Sequence, residues 1–129
     1  MNAEEQSVMD AVERLVSVVA RCDADAYRKL VADDVSSFEF DIAPYRIDTL
    51  EFHLHLLKQS AQLPTPAPRI DILTPRVRVL GNVAIASYTL LKTVQADGKS
   101  VFRSCNESRV FEKREGTWVM VHFHRSAAG

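Results

Sequence analysis

Apolar residues recur at Val8, Val12, Leu15, Val16 and Val19, with glutamate and arginine between them. This helical period predicts an amphipathic helix over about Ala3 to Arg21. Asp23 reads as the N-cap of a short second helix that keeps Tyr27, Leu30 and Val31 on one side. Ser36 to Phe40 reads as a short strand. A third helix is expected to start from Asp48, with Glu51 as the reciprocal capping partner and Ile47 stapling onto Phe52. Along it Leu50, His53, Leu54 and Leu57 form one stripe, which turns His53 toward the core and His55 elsewhere.

The pattern then changes. Pro64, Pro66 and Pro68 make an extended, non-helical lead-in. Four long segments rich in β-branched and aromatic residues follow, about Arg69–Leu80, Val83–Gln95, Ser100–Lys113 and Thr117–Arg125. Gly81-Asn82, Asp97-Gly98 and Glu115-Gly116 separate them as hairpin turns. The pattern predicts an α+β architecture, three N-terminal helices packed on a strongly curved antiparallel sheet.

Composition narrows the picture without redrawing it. The 129 residues fit a single domain spanning 1–129. A net charge of −1 gives no reason to expect a nucleic acid or an anionic membrane as partner. There is no apolar stretch of about 18 residues to span a bilayer. Glu4, Glu5, Asp10 and Glu13 occupy the place where a signal peptide would be basic and then apolar. Cys22 and Cys105 form no CxxC pair and read as free thiols of a cytoplasmic protein.

The last strand raises the question of chemistry. Alternation puts Val119, Val121, Phe123 and Arg125 on one face and Trp118, Met120, His122 and His124 on the other. A three-residue turn at Arg114-Glu115-Gly116 sets Lys113 opposite Thr117, Arg109 opposite Val121, Glu107 opposite Phe123 and Cys105 opposite Arg125. Both arginines then share a concave face with Glu107 between them, and His53 can reach the same space. A two-residue turn would separate the arginines, so the expectation depends on register. Two guanidinium groups against one carboxylate leave an excess of positive charge, which favours an anion from outside.

Glu107-Ser-Arg-Val and the closing Arg-Glu-Gly-Thr-Trp-Val-Met-Val-His-Phe-His-Arg-Ser126 resemble the association (hub) domain of calcium/calmodulin-dependent protein kinase II. Glu51-Phe-His53 resembles that family's Asp-Phe-His, and Asp23, Tyr27, Phe38-Glu39 and Ile72-Leu-Thr-Pro75 also fall in register. The resemblance, over about Glu5 to Ser126, implies a cone-shaped nuclear transport factor 2-like fold. It further implies homodimers built through the sheet, often assembled into rings, and an arginine-lined pocket that accepts small carboxylates. His53, Arg109 and Arg125 match the polar lining; Glu107 and Tyr27 lie beside them. Thr89 stands where the family has a further arginine, and Leu54-His-Leu-Leu57 replaces an aromatic run. No glycine-rich loop or His-Arg-Asp motif marks a kinase, so the expectation is a stand-alone relative.

The resulting expectation is a self-associating, non-catalytic domain that binds a small carboxylate through His53, Arg109, Arg125, Glu107, Tyr27 and Thr89, without cofactor or metal. The alternative is an enzyme of the ketosteroid isomerase-like or polyketide cyclase-like (SnoaL-like) type in the same pocket, for which fold alone decides nothing. Its acid–base candidates are Glu107, Tyr27, Asp41 and His53. Glu107 beside two arginines should titrate low and make a poor base. His122 and His124 share a face but lack a third metal ligand. With Trp118, Met120, Tyr88 and Val110 they are expected instead on an outer sheet face that closes a dimer.

Overall fold

A computed structural model describes residues 1–63 and 66–129. Helix α1 spans Ala3–Ala20, α2 Ala24–Arg28 and α3 Leu50–Ser60; the strands are β1 Val31–Glu39, β2 Ile47–Asp48, β3 Arg69–Leu80, β4 Val83–Ala96, β5 Lys99–Arg114 and β6 Thr117–Ala127. Pro64, in the expected lead-in, lies outside the described residues.

Helix α1 starts at a complete capping box, in which Asn2 accepts from the Glu5 amide and the Glu5 carboxylate accepts from the Asn2 amide. Its apolar stripe, Val8, Val12, Leu15 and Val16, is buried. The helix ends in two reversed bonds, Asp23 N to Val18 O and Cys22 N to Val19 O, with Cys22 left-handed at φ 53°. Glycine is the usual residue there. Asp23 caps α2 as expected. The start of α3 is shifted by one residue: Thr49 is the N-cap, while Asp48 pairs with Arg46 and Glu51 with Arg28. Ile47 is buried in β2 opposite Ser37, and Phe52 stays exposed against His55.

The six strands form one open sheet in the order β2-β1-β6-β5-β4-β3. The β3 to β6 meander is antiparallel as expected, but β1 joins β6 in parallel. Sequence reading placed only Ser36–Phe40 of β1 and missed the two-residue β2. All three helices pack on the inner face: α1 against β3, β4 and β6, and α3 against β1 and β2.

The β5–β6 turn corrects the expected register. Arg114 pairs with Thr117, so the loop has two residues, Glu115 and Gly116, both at positive φ. A β-bulge at Val121 then lets Phe111 face Met120 and Val110 face His122. Below the bulge Trp118 and Met120 point inward; above it Phe123 and Arg125 do. Trp118 donates to Ser7 Oγ on α1 at 2.9 Å. The expected outward positions of Trp118, Met120 and Tyr88 are therefore wrong, since all three are in the core. The expected inward wall of Val119 and Val121 is also wrong, with Phe123 alone retained.

Candidate functional site

Above the bulge, the inner face of the sheet and helices α1 to α3 enclose a cavity of about 290 Å³. Its walls include Val16, Val19, Leu56, Leu57, Ile70 and Leu90. Tyr27, His53, Glu107, Arg109 and Phe123 are buried at its floor, while Asp41, Ile42 and Ser60 are exposed at its mouth. Of the six residues expected at the site, five line this cavity. Thr89 does not: it follows the outward alternation of β4, and its hydroxyl bonds Asn106 at 2.7 Å.

The floor is a closed polar network. Glu107 lies opposite both Tyr88 on β4 and Arg125 on β6. Its Oε1 accepts from Tyr88 at 2.6 Å and from Arg109 at 3.2 Å; its Oε2 accepts from Arg125 Nε at 2.8 Å. Arg109, 2% exposed, also donates to the Tyr88 oxygen and Met120 Sδ, and its guanidinium lies 4.6 Å from the Phe123 ring centroid. Burial alone would raise the Glu107 carboxyl, but Arg109, Arg125 and the Tyr88 hydroxyl bring it down to about 2.

Arg125 is held on a second side. Its Nη1 donates to Glu39 at 3.2 Å and to the Asp41 carboxylate at 3.3 and 3.4 Å. Nη2 makes no hydrogen bond to the described residues. The sequence expectation of excess positive charge is thereby corrected. Glu39 and Asp41 were not counted, and with Glu107 they outnumber the two arginines.

His53 is fixed from both sides. Its Nε2 lies 3.1 Å from the Ile47 carbonyl, which can only accept, so Nε2 carries the proton. In the neutral ring Nδ1 accepts from the Tyr27 hydroxyl at 3.3 Å. Burial pushes the Tyr27 hydroxyl up to about 12, against the pull of Arg109, so it stays a donor.

A cationic cavity residue, too, escaped the sequence reading. Lys92 lies on the inner face of β4, two residues beyond Leu90, and lines the mouth. The alternation Ala84, Ala86, Tyr88, Leu90, Lys92 carries that signal.

Helices laid on one face of an open curved sheet, around a cavity with charged residues at its floor, define the nuclear transport factor 2-like class. A protein of that class from Cytophaga hutchinsonii superposes with a TM-score of 0.78 at 15% identity, covering 99% of this chain and 100% of its own. Residues 4–129 match the calcium/calmodulin-dependent protein kinase II association domain family, and the chain belongs to it. The association domain of C. elegans CaMKII is 27% identical with a TM-score of 0.88, covering 97% of this chain and 96% of that one. The calcium/calmodulin-dependent protein kinase type II alpha chain of Drosophila melanogaster is 29% identical over 98% of this chain. This chain spans about a quarter of that relative's length, 24%. Among the described residues no helix is long and apolar enough to cross a membrane.

Proposed function

We propose that this chain is a self-associating domain whose copies meet through the outer face of the sheet, and whose cavity takes a small carboxylate without catalysing its reaction. The reading of association rests on one lateral row. Ile85, Val110, His122 and Ser36 stand side by side across β4, β5, β6 and β1, on the face that no helix covers. Ile85 is 38% and Phe38 42% exposed there, with the Phe38 ring against those of both His122 and His124. Aromatic and aliphatic side chains gathered on a bare sheet face favour a second copy of the same surface.

The carboxylate reading rests on Arg125, whose Nη2 is left over when Nε and Nη1 are bonded. Arg109 has no comparable vacancy: each of its nitrogens is engaged with Tyr88, Met120 or Glu107. The absence of catalysis is argued from Glu107. A carboxylate held by three donors and titrating near 2 is a weak base at neutral pH.

Sedimentation measurements test the first half. A dimer or larger assembly at micromolar concentration is expected, reduced by Ile85→Glu with circular dichroism unchanged; a monomer throughout rejects it. Calorimetric titration of small mono- and dicarboxylates tests the second, and no binding at millimolar concentration rejects that part alone.

A further inference from the structure

We infer that residues 40–46, which join β1 to β2, form a gate over the cavity mouth, and that the contact of Asp41 with Arg125 is the latch that holds it shut. The gate does not depend on what the cavity holds, so it stands or falls apart from the carboxylate reading.

Three carboxylates share Arg125, and they are held unequally. Glu107, fully buried, takes Nε at 2.8 Å. Glu39, with its side chain 11% exposed, takes Nη1 at 3.2 Å and also accepts from Ser37 Oγ at 2.8 Å. Asp41, with its side chain 42% exposed, meets the same Nη1 at 3.3 and 3.4 Å and has no other partner among the described residues. Two carboxylates on one nitrogen repel each other, and the outer one is the more readily screened. Asp41 is therefore the partner that can leave while Arg125 stays bound at the floor.

Asp41 takes part of the rim with it. Ile42, the next residue, lines the cavity from an exposed position. The amides of Ile42 and Ala43 both donate to the Glu39 carbonyl, at 3.0 and 3.2 Å, and Pro44 follows with its φ fixed by the ring. A closed turn against a proline moves as a unit. Its other attachments are slight. Phe40 N reaches Arg125 O at 3.4 Å, and Arg46 pairs with Asp48 just before Ile47 is buried in β2. Phe40 and Tyr45 are both exposed, so neither packs the segment down. A segment with few buried contacts and one exposed ion pair opens at low cost while the rest of the fold stays closed.

The test is access to Leu90, a cavity-wall residue only 3% exposed. Relaxation of methyl NMR signals by the uncharged nitroxide TEMPOL is compared in the wild type, Asp41→Asn and Glu39→Gln. Asp41→Asn should raise the effect on the Leu90 methyls, and the exchange rate of the Phe40 amide, by about threefold, the scale of one partly exposed ion pair. Val35, buried away from the cavity, should not change. Glu39→Gln leaves the latch in place and should keep Leu90 near the wild-type value. No change at Leu90 or at the Phe40 amide in Asp41→Asn overturns the gate. So does a rise at Leu90 and Val35 together, which is general loosening, or an equal rise in Glu39→Gln, which makes Asp41 nothing special. Should Asp41→Asn fold poorly, the wild type at about 0.5 M salt decides the point, because the exposed pair alone is screened. A rise at Leu90 then supports the latch, and no rise overturns it.

Discussion

Glu107 stands directly opposite Arg125 across the β5–β6 ladder, and its Oε2 accepts from Arg125 Nε at 2.8 Å. Oε1 of the same carboxylate takes Arg109 and Tyr88, so one buried acid ties three strands together. Its carboxyl falls from the ordinary 4.5 to about 2. A lowered acid stabilises the fold fully above pH 4.5 and stops doing so as pH falls toward 2, a contribution on the order of 3 kcal/mol. Urea unfolding from pH 7 to 2 should show that loss. Glu107→Gln should flatten the dependence in this window and cost roughly 3–5 kcal/mol at pH 7, because two buried guanidinium groups lose their shared partner.

Trp118 is a fold residue. Its indole is 6% exposed, bonds Ser7 on α1 and has Lys113 Nζ 5.4 Å from its ring centroid. Trp118→Ala should cost roughly 3–5 kcal/mol in urea unfolding, as for other large buried aromatics. Ile85→Glu, outward on β4, should leave the unfolding midpoint nearly unchanged. Equal effects of the two variants on stability would contradict the inward placement.

Tyr27→Phe removes the donor facing His53 Nδ1 while keeping the ring. Loss of one buried hydrogen bond should cost about 1–3 kcal/mol. In NMR spectra the Nε2 proton of His53, bonded to the Ile47 carbonyl, should persist in the variant. Its disappearance would mean that Tyr27 sets the tautomer and Ile47 does not.

Assembly should depend on pH. Burial, and then the neighbouring His124, hold His122 below its ordinary value of 6.5, against a hydrogen bond to the Ser36 backbone. A second copy over this face would bury the ring further and disfavour its charged form, so protonation should oppose assembly increasingly as pH falls below 6.5. Sedimentation should therefore show less assembly at pH 5 than at pH 7.5, with the difference reduced in His122→Gln. An unchanged difference in that variant would remove His122 from the contact.

The helices and the four long strands could be read from apolar spacing and turn residues, because those signals are local. Thr49 in place of Asp48 as the cap of α3 reflects a choice between adjacent capping side chains that depends on where β2 enters. The parallel β1–β6 pairing joins distant parts of the chain, and no local pattern encodes it. In the candidate site, Glu107, Arg109 and Arg125 were placed on the correct face by two errors that cancelled, a turn one residue too long and an unseen bulge. For Trp118 and Met120, on the near side of the bulge, nothing cancelled. Glu39 and Asp41 were missed as partners of Arg125 because their approach depends on β1 lying beside β6. Lys92 was available from plain alternation.

The extra residue at Val121 makes β6 two strands in series, out of phase by one position. Its first half is keyed to helix α1 through Trp118 and Met120; its second half is keyed to the cavity through Phe123 and Arg125. An insertion or deletion between Gly116 and Val121 would disturb the helix contact, yet the cavity could be kept in step by gaining or losing the bulge. The scaffold and the cavity are thus separately adjustable along a single strand. A family that kept this joint could vary what it holds without rebuilding how it folds.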